Sequence, residues 1–423
     1  MNLLIRSVHI FDPGSPFHQT IKDLLVADGR ISAITDHSEK IPEGSTVISG
    51  EGLCVSPGWF DLHVHFSEPG FEFREDLQSG MAAAAQGGFT GVLCMPTTQP
   101  PIHSKSEVEF ILKRTAGQLV EVHPAGCITV NREGKELAEL YDMWLSGAKA
   151  FTDDQHPLRN AGVLVRALTY CKDFGGRLMV YAEDKDLSAK GQMNEGPSST
   201  LLGLKGMPAL AESVMIARDL QVLAYSGGAL HFSTVSTAEG VALIRAAKKQ
   251  GLNVTADVAA YHLLLDDSVL SEFDTNYKVK PPIRSNIDRN ELIAGLQDGT
   301  LDAITTDHRP LDIEAKQKEY DLADFGMVGL ETGFGVLNTA LKDKISLERI
   351  IDAIAIQPRR ILGLTTPTIR EGSTANLTVF SPNESWTVTR SALKSRSANS
   401  PFIGQTLTGR PVAVINGNRY AIL

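Results

Sequence analysis

The feature that most constrains this chain is a regular alternation of short apolar strands and helical stretches between Pro57 and Gly363. The strands include "GVLCMP", "RLMVYAE", "ALHFST" and "AITTD", and stretches such as "SEVEFILKRTAG" and "AEGVALIRAAKKQG" separate them. Strand–helix alternation over about 300 residues is typical of an α/β fold whose parallel strands close into a barrel. We therefore predict a (β/α)8 TIM-like barrel over residues 56–365.

The two chain ends have a different pattern, with strand-like runs and few helical stretches. The first end contains "LLIRSVHIF" and "DLLVADGRISAIT", and the last contains "ANLTVFSP" and "GRPVAVINGNRYAIL". Gly, Pro and Asp turns break these runs, as they do between the strands of antiparallel sheets. We predict that residues 1–55 and 366–423 together form one small β-sandwich domain that flanks the barrel.

Composition and charge exclude several classes of function. The chain has 423 residues and a formal net charge of −10, without long basic runs, which argues against nucleic acid or an anionic membrane as a partner. The apolar runs are too short to span a bilayer, and the first residues are too quickly polar for a signal peptide. The four cysteines lie far apart and form no CxxC motif, which is typical of reduced thiols. We therefore expect a cytoplasmic protein.

The stretch "FDLHVHFSEPG" places His63 and His65 two residues apart near a strand end. Side chains at positions i and i+2 of a strand point the same way, so both imidazoles can reach one metal ion. Asp153 and Asp307 also follow apolar strands, at the end of a barrel where active sites lie. An alternative for the histidine pair alone is two hydrogen-bonded or solvated side chains. The coincidence of all four positions favours a metal centre.

Longer stretches resemble the dihydroorotase family of metal-dependent amidohydrolases, which is close to hydantoinases and allantoinases. They are "SPGWFDLHVHFSEPG", "AAAAQGGFTGVLCMPTTQP", "AFTDD", "NEGPSSTLLGLKGMPALAE", "VKPPIRS" and "DAITTDH". The resemblance covers nearly the whole chain. It implies hydrolysis of a cyclic amide by zinc or another divalent ion, which polarises the amide and activates water.

The resemblance also implies a set of metal ligands. The deeper of the family's two metals would be held by His63, His65, Asp307 and a bridging carboxylate, which the "AFTDD" sequence assigns to Asp153. Hydantoinases use a carboxylated lysine in a K-x-F sequence instead, and here "KAF" puts Lys149 at that position. Lys149 is therefore either a carboxylated lysine or an ordinary salt-bridged one. We predict one metal ion per chain, most simply zinc.

The chain departs from the family at other functional positions. Tyr181 and Thr234 stand where the shallower metal has its two histidines, and neither side chain replaces imidazole as a neutral zinc ligand. Four further positions of the family's substrate site differ as well. They hold Ser67 in place of arginine, Thr97 and Lys280 in place of asparagine, and Leu311 in place of histidine. Lys280 and Arg309 are the new cations near these positions.

Two functional hypotheses remain open from the sequence. The first is a degenerate dihydroorotase of pyrimidine biosynthesis, with low or no turnover of dihydroorotate to carbamoyl aspartate. The second is an active single-zinc enzyme that opens dihydroorotate, a hydantoin or an allantoin-like ring. In that enzyme Asp307 would take a proton from water and return it to the leaving nitrogen. The resemblance further implies a homo-oligomer or a complex with aspartate transcarbamoylase.

Overall fold

The computed structural model describes residues 1–37 and 44–423. Its strands are β1 Asn2–Ile10, β2 Ile21–Ala27, β3 Arg30–Thr35, β4 Thr46–Ile48, β5 Cys54–Pro57, β6 Trp59–Val64, β7 Phe89–Cys94, β8 Glu121–Gly126, β9 Ala150–Phe151, β10 Leu178–Val180, β11 Met193–Asn194, β12 Gly206–Met207, β13 Leu230–Phe232, β14 Val254–Ala259, β15 Ala303–Thr305, β16 Asn376–Thr387, β17 Thr406–Asn416 and β18 Arg419–Ile422. Its α-helices are α1 Leu77–Gln86, α2 Lys105–Thr115, α3 Leu140–Leu145, α4 Ala161–Lys172, α5 Lys185–Ser188, α6 Pro197–Leu202, α7 Leu210–Ser226, α8 Ala238–Lys249, α9 Ala260–Leu264, α10 Asn286–Gln297, α11 Ile313–Lys316, α12 Gly333–Leu341, α13 Leu347–Ile351 and α14 Gln357–Ile361. A π-helical turn, Asp352–Ile356, joins the last two helices.

Eight strands form the predicted barrel. They lie in the order β6, β7, β8, β9, β10, β13, β14 and β15, and each pairs in parallel with its neighbour. The two edges approach each other where Val64 bridges His308 and the His65 N–H donates to the His308 carbonyl at 2.9 Å. The strand–helix alternation of the sequence therefore predicted the barrel correctly. No helix among the described residues is both long and apolar enough to cross a bilayer.

Alternating side chains of the barrel strands belong to two separate apolar cores. Phe60, Leu62 and Ala150 are buried inside the barrel, in a cluster that also contains Leu93, Met95, Ala125, Met179, Ala303, Ile361 and Leu362. Phe151 belongs instead to the larger core on the helix-facing side of the strands. Full burial of such a side chain stabilises the fold by roughly 1.5–3 kcal/mol, so burial favours this alternation. In β6 the pairing with β7 is irregular between Asp61 and Val64, and the alternation is interrupted before His63.

Both chain ends contribute to one flanking sheet, as predicted. Its order is β18-β17-β16-β5-β1-β2-β3, and β4 pairs with β1. Apolar side chains from both ends, including Leu3, Ile5, Leu377 and Ile415, share one core. The exact domain boundaries at 55/56 and 365/366 remain a prediction.

A tight contact joins this sheet to the barrel at Gly58. A Cβ atom there would lie 2.1 Å from Asn376 Oδ1 and 2.2 Å from Thr90 Oγ1. Atoms cannot approach so closely, so the chain needs glycine between β5 and β6. This contact holds the first barrel strand, which carries both histidines, against the flanking sheet.

Candidate metal centre

The predicted side chains converge at the carboxyl ends of two barrel strands. His63 lies in β6, His65 follows it, and Asp307 follows β15. Each of these buried residues offers one ligand atom, and the three atoms lie within 4.8 Å of one another. The structure thus brings together three of the four residues that the sequence assigned to a metal.

The carboxylate that completes this group belongs to Asp154. His63 Nε2 lies 2.8 Å from Asp154 Oδ1, and His65 Nε2 lies 3.9 Å from the same oxygen. The side chain of Asp154 is fully buried. Ala150 faces the barrel interior, and by strand alternation Thr152 and Asp154 continue on that face.

Asp153, which the sequence assigned as the bridging carboxylate, turns away from the histidines. Its Oδ1 accepts the backbone N–H groups of Ile128 at 2.9 Å and Thr129 at 3.0 Å, and its Oδ2 accepts the Thr129 hydroxyl. It follows the helix-facing Phe151 by two residues, so it lies on the outer face of the strand. The geometry corrects the assignment by one residue, and Asp153 instead ties the loop after β8 to the end of β9.

Lys149 shares this outer face by the same alternation, two residues before Phe151. It is half-buried, and its backbone N–H donates to the Pro124 carbonyl at 3.2 Å. Lys149, Phe151 and Asp153 therefore share one face, and it points away from the metal ligands. The position therefore does not supply a carboxylated lysine to the centre.

Neighbouring groups orient the imidazole of His65 and fix the backbone at His63. His65 Nδ1 lies 2.6 Å from Thr97 Oγ1, so its Nε2 is directed toward the centre. Asp61, which is fully buried, accepts the backbone N–H of His63 at 2.8 Å and that of Thr306 at 2.9 Å. It thereby ties β6 to the end of β15 and fixes the distance between the histidines and Asp307. Such supporting hydrogen bonds are a common feature of metal ligands.

Sequence reasoning missed Tyr261. Its hydroxyl donates to Asp307 Oδ2 at 2.6 Å, and Asp307 Oδ1 is left facing His63 Nε2 at 3.7 Å. Tyr261 is buried, two residues beyond the end of β14. The sequence signal that could have identified Tyr261 is its position just after a barrel strand. The contact itself joins two distant parts of the chain and could not be read from either segment.

The pKa values of the two carboxylates of the centre, Asp307 and Asp154, are shifted in opposite directions. Burial raises the pKa of Asp307 to about 6, against the opposing effects of His63 and the Tyr261 hydroxyl. Burial would also raise the pKa of Asp154, but the charges of His65, Arg309 and His63 hold it well below its usual value. Asp154 is therefore a permanent anion at neutral pH, whereas Asp307 can exchange a proton there.

The histidines respond to the same carboxylates in opposite directions. Burial would lower the pKa of His63, but the Asp154 hydrogen bond and the Asp307 charge raise it to about 9. Burial lowers the pKa of His65 well below its usual value, because the opposing effect of Asp154 is smaller.

The donor set fits a divalent cation. Among the buried atoms without a hydrogen-bond partner in the described part of the chain are His65 Nε2, Asp154 Oδ2 and Asp307 Oδ1. Buried polar atoms are seldom left without a partner unless a ligand or ion satisfies them. Two imidazoles and two carboxylates are ligands that suit zinc. His63, His65, Asp154 and Asp307 would hold the ion.

The two positions that correspond to the second metal are also brought together. Tyr181 and Thr234 line one narrow enclosed space together with Glu212 and Ser233, with no room for a water molecule. The Thr234 backbone N–H donates to Asp257 Oδ1 at 2.7 Å. Burial raises the pKa of the Tyr181 phenol well above its usual value, so it stays neutral. Neither side chain supplies a ligand of the type that zinc prefers.

The four expected substrate positions do not form a site for an anion. Thr97 is hydrogen-bonded to His65, and Lys280 Nζ is paired with Glu183 Oε1 at 2.7 Å. Ser67 is buried in a turn and Leu311 is buried, and neither carries charge. Leu311 lines a cleft of about 520 Å³ together with Phe73, Ile313 and Arg396.

Arg309 is the cation that reaches the centre. Its Nη1 lies 3.5 Å from Asp154 Oδ2, while Asp154 Oδ1 faces the histidines. Its side chain is 22% exposed, so it reaches the carboxylate from the mouth of the barrel. The sequence singled out Arg309 as a new cation but did not indicate its partner.

Several residues of the centre have an unusual backbone conformation. Ser67, Asp154, Thr234 and Asp307 all have φ between 48° and 62°. This left-handed region is uncommon for residues other than glycine, and each instance costs about 1–3 kcal/mol. Such positions cluster at functional sites, where they turn a side chain inward immediately after a strand.

The fold and the site define a parallel α/β barrel with a candidate metal centre at the carboxyl ends of its strands. Over 100% of this chain and 97% of the other, the structure is similar to the L-hydantoinase (dihydropyrimidinase) from Arthrobacter aurescens, with a TM-score of 0.87 and 24% sequence identity. A D-hydantoinase has a TM-score of 0.83 at 23% identity and is covered over 95% of its length. At these identities the likeness concerns the fold alone.

Sequence comparison identifies the family more narrowly. The model of a family described as "Dihydro-orotase-like" matches residues 52–240. A relative named dihydroorotase from Syntrophus aciditrophicus is 40% identical over 417 residues, which cover 98% of each chain. Another from Pelotomaculum thermopropionicum is 43% identical over 421 residues, which cover 99% of this chain and 98% of the relative. The chain belongs to the dihydroorotase family.

Proposed function

We propose that this protein is a cyclic-amide hydrolase that uses one divalent metal ion, most simply zinc, with low or no turnover of dihydroorotate. One observation supports this most directly. The ligand atoms of His63, His65 and Asp307 meet beside Asp154, whereas the paired positions for a second ion hold Tyr181 and Thr234. The donor set for one ion is complete, and that for two is not.

The residues of the centre have distinct roles in this proposal. A bound ion would supply Lewis acidity toward the ring carbonyl and toward water. Asp307 would take the proton from the attacking water at Oδ1 and return it to the ring nitrogen as the amide bond breaks. Tyr261 holds the other oxygen of Asp307, so that Oδ1 stays directed at the centre. The pKa of Asp307, raised to about 6, suits a group that must both accept and donate a proton.

We infer a preference for uncharged rings, because the site lacks the arginine charge that would bind the dihydroorotate carboxylate. Dihydroorotate carries a carboxylate, and an arginine fork binds such a group with two charge-assisted hydrogen bonds. Ser67 stands at the family's arginine position and has no charge. Each lost bond to a charged group is worth about 1.5–3 kcal/mol, so dihydroorotate should react at least about 10²-fold more slowly than with an arginine present. A hydantoin or an allantoin-like ring is the alternative substrate.

The test combines metal content with a ring-opening assay. The purified chain, never exposed to chelator, is assayed on dihydroorotate and on uncharged cyclic amides, and its metal is measured by elemental analysis. We expect one equivalent of metal and a kcat/KM on dihydroorotate below about 10⁴ M⁻¹s⁻¹, the lower end of the ordinary enzyme range.

A matched variant sharpens the assay. Ser67→Arg should lower the KM for dihydroorotate and leave that for an uncharged ring unchanged. Ordinary turnover of dihydroorotate by the wild type would contradict the proposed preference. A metal-loaded chain that opens no ring would instead indicate a degenerate member that keeps its metal centre without catalysis.

We also propose that the chain associates, either with itself or with aspartate transcarbamoylase. The support is membership of the dihydroorotase family combined with the loss of substrate-binding groups while the barrel stays intact. Sedimentation of the chain alone, and then with the transcarbamoylase of the same organism, tests both options. A chain that stays monomeric in both experiments contradicts the proposal.

A cytoplasmic location is proposed on the state of the cysteines. Cys54, Cys94, Cys127 and Cys171 are all free and buried. Such thiols suit a reducing compartment. Fractionation of the source cells tests this directly.

A further inference from the structure

The carboxylate of Asp154 lies between two positively charged environments. Its Oδ1 is 2.8 Å from His63 Nε2 and 3.9 Å from His65 Nε2, on the side where one metal ion fits. Its Oδ2 is 3.5 Å from Arg309 Nη1, on the other side. A carboxylate that bridges two metal ions divides its oxygens between two cations in the same way.

The structure holds Arg309 firmly in this place. Its backbone N–H donates to the Met327 carbonyl at 2.7 Å, and its carbonyl accepts from Asn399 Nδ2 at 3.0 Å. Gly326 packs against the side chain, and a Cβ there would lie 3.0 Å from the Cγ and Cδ atoms of Arg309. Two separate segments, residues 326–327 and Asn399, therefore hold the Arg309 backbone and the base of its side chain in addition to the ion pair.

The positions that would hold a second ion by the family resemblance also lack ligands of the type that zinc prefers. Tyr181 and Thr234 fill the positions in question, and Thr234 Oγ1 is buried without a hydrogen-bond partner among the described residues. A metal ion bound to Asp154 Oδ2 at about 2 Å would lie within about 6 Å of Arg309 Nη1. Like charges at that distance repel strongly in a buried site.

We propose that the Arg309 guanidinium takes the place of a second cation on Asp154, so that this centre binds one divalent ion and excludes another. The inference rests on the proposed metal-dependent function of the same site. It goes further than that function because it assigns the exclusion of a second divalent ion to Arg309, which is not a metal ligand. A guanidinium is always charged and cannot be displaced by ligand exchange, so it neutralises Asp154 Oδ2 permanently.

The experiment restores the missing imidazoles with and without Arg309. The Tyr181→His/Thr234→His double variant is compared with the triple variant that also carries Arg309→Ala. A control triple variant carries Lys280→Ala instead, which removes a cation of the barrel mouth that is paired with Glu183 rather than Asp154. Each protein is titrated with Co²⁺, and bound metal is counted by elemental analysis and by the cobalt absorption spectrum.

We expect one equivalent of Co²⁺ in the double variant and in the Lys280 control, and two equivalents in the Arg309 triple variant. Two equivalents in the double variant, with Arg309 present, would overturn the proposal, as would one equivalent in a folded Arg309 triple variant. If the wild type binds no metal at all, the proposed function fails first, and that outcome is distinct from either of these.

A single substitution provides a second measurement if the multiple variants do not fold. Arg309→Gln removes the charge that competes with the metal for Asp154, so Co²⁺ affinity should rise by about fivefold or more. Lys280→Gln is the matched control and should change the affinity little. An unchanged or weaker affinity in Arg309→Gln would show that the guanidinium does not act on the metal position, and a raised KM for carboxylate substrates alone would assign it to substrate binding instead.

Discussion

Replacing each of the two adjacent aspartates by asparagine tests which carboxylate holds the metal. Asp154→Asn removes the anion beside both histidines, and Asp153→Asn removes one that contacts only Ile128 and Thr129. Both variants replace one aspartate by asparagine at adjacent positions, so each serves as the matched control for the other. We expect Asp154→Asn to lose metal affinity and Asp153→Asn to retain it.

The magnitude for Asp154→Asn follows from the distances. At an effective dielectric constant of about 20, a unit charge about 4 Å from a divalent ion gains about 8 kcal/mol. Desolvation of the buried carboxylate offsets several kcal/mol of this gain. A net loss of about 3–4 kcal/mol remains, which corresponds to a Kd weaker by about 10²–10³.

Asp153→Asn should affect stability instead. The amide oxygen still accepts the two backbone N–H groups, but the amide nitrogen cannot accept the Thr129 hydroxyl as Oδ2 does. We expect a loss of about 1 kcal/mol of folding free energy. The metal Kd should stay within about threefold of the wild type, because the side chain does not face the centre.

The assay is a Co²⁺ titration in the presence of a competing chelator, with a thermal melt for each variant. If Asp154→Asn does not fold, retention of metal by Asp153→Asn still decides the question. Loss of metal from Asp153→Asn, with retention by Asp154→Asn, would refute the argument from strand alternation and return the bridging role to Asp153.

Three further predictions concern other parts of the structure. Tyr261→Phe removes a hydrogen bond to the Asp307 carboxylate that is worth about 1.5–3 kcal/mol. The kcat/KM on any ring that the wild type opens should therefore fall by about 10–100-fold, while the melting temperature changes little. Burial raises the pKa of Asp219 to about 6, so the folded chain binds this proton more tightly than the unfolded chain does. The resulting stabilisation is fully present below the unfolded pKa of Asp219 and is lost as the pH rises through about 6. Asp219→Asn should therefore gain stability relative to the wild type, by up to about 3 kcal/mol, between pH 4 and pH 7, and urea unfolding at both pH values measures it. Gly58→Ala should destabilise the chain by several kcal/mol, about the cost of overpacking, because its Cβ would overlap Asn376, and a fall in melting temperature would report this.

The sequence predicted the barrel because the signal for it is long and redundant. Many strands and helices repeat one pattern, so an error in one element does not change the architecture. His63 and His65 were assigned for a related reason, since both lie on one strand at a spacing that fixes their common direction. Predictions that rest on a repeated local pattern are thus the ones that the structure supports.

The family resemblance assigned Asp153 as the carboxylate ligand, and the strand before it is too short for the sequence pattern to check that assignment. β9 contains only Ala150 and Phe151, which gives no periodicity from which to decide between Asp153 and Asp154. A shift of one residue exchanges the two faces of a strand, so the error moved the assignment from the barrel interior to its outer side. By the same alternation Lys149 lies with Phe151 on the outer side of the strand, away from the metal ligands.

The contacts of Arg309 and Tyr261 could not be predicted from local sequence at all. Each contact joins two parts of the barrel mouth that lie far apart in the chain. A single sequence shows that an arginine or a tyrosine follows a strand, but the partner depends on how the strands are staggered in the closed barrel. The partner in both cases is a carboxylate of the centre.

The charges of the centre argue that it is retained for more than stability. Asp154 and Asp307 are both buried, and Arg309 is the cation that reaches Asp154 from the barrel mouth. Replacing a buried ion pair by well-packed apolar side chains is often neutral or stabilising, so a fold without chemistry would have little reason to keep these groups. Arg309 balances one carboxylate, and the other can be balanced by a proton on His63, by a proton on Asp307 itself or by a metal ion beside them. Only the metal ion also satisfies the unpartnered atoms of His65 and Asp307, which makes it the better counter-charge for this arrangement.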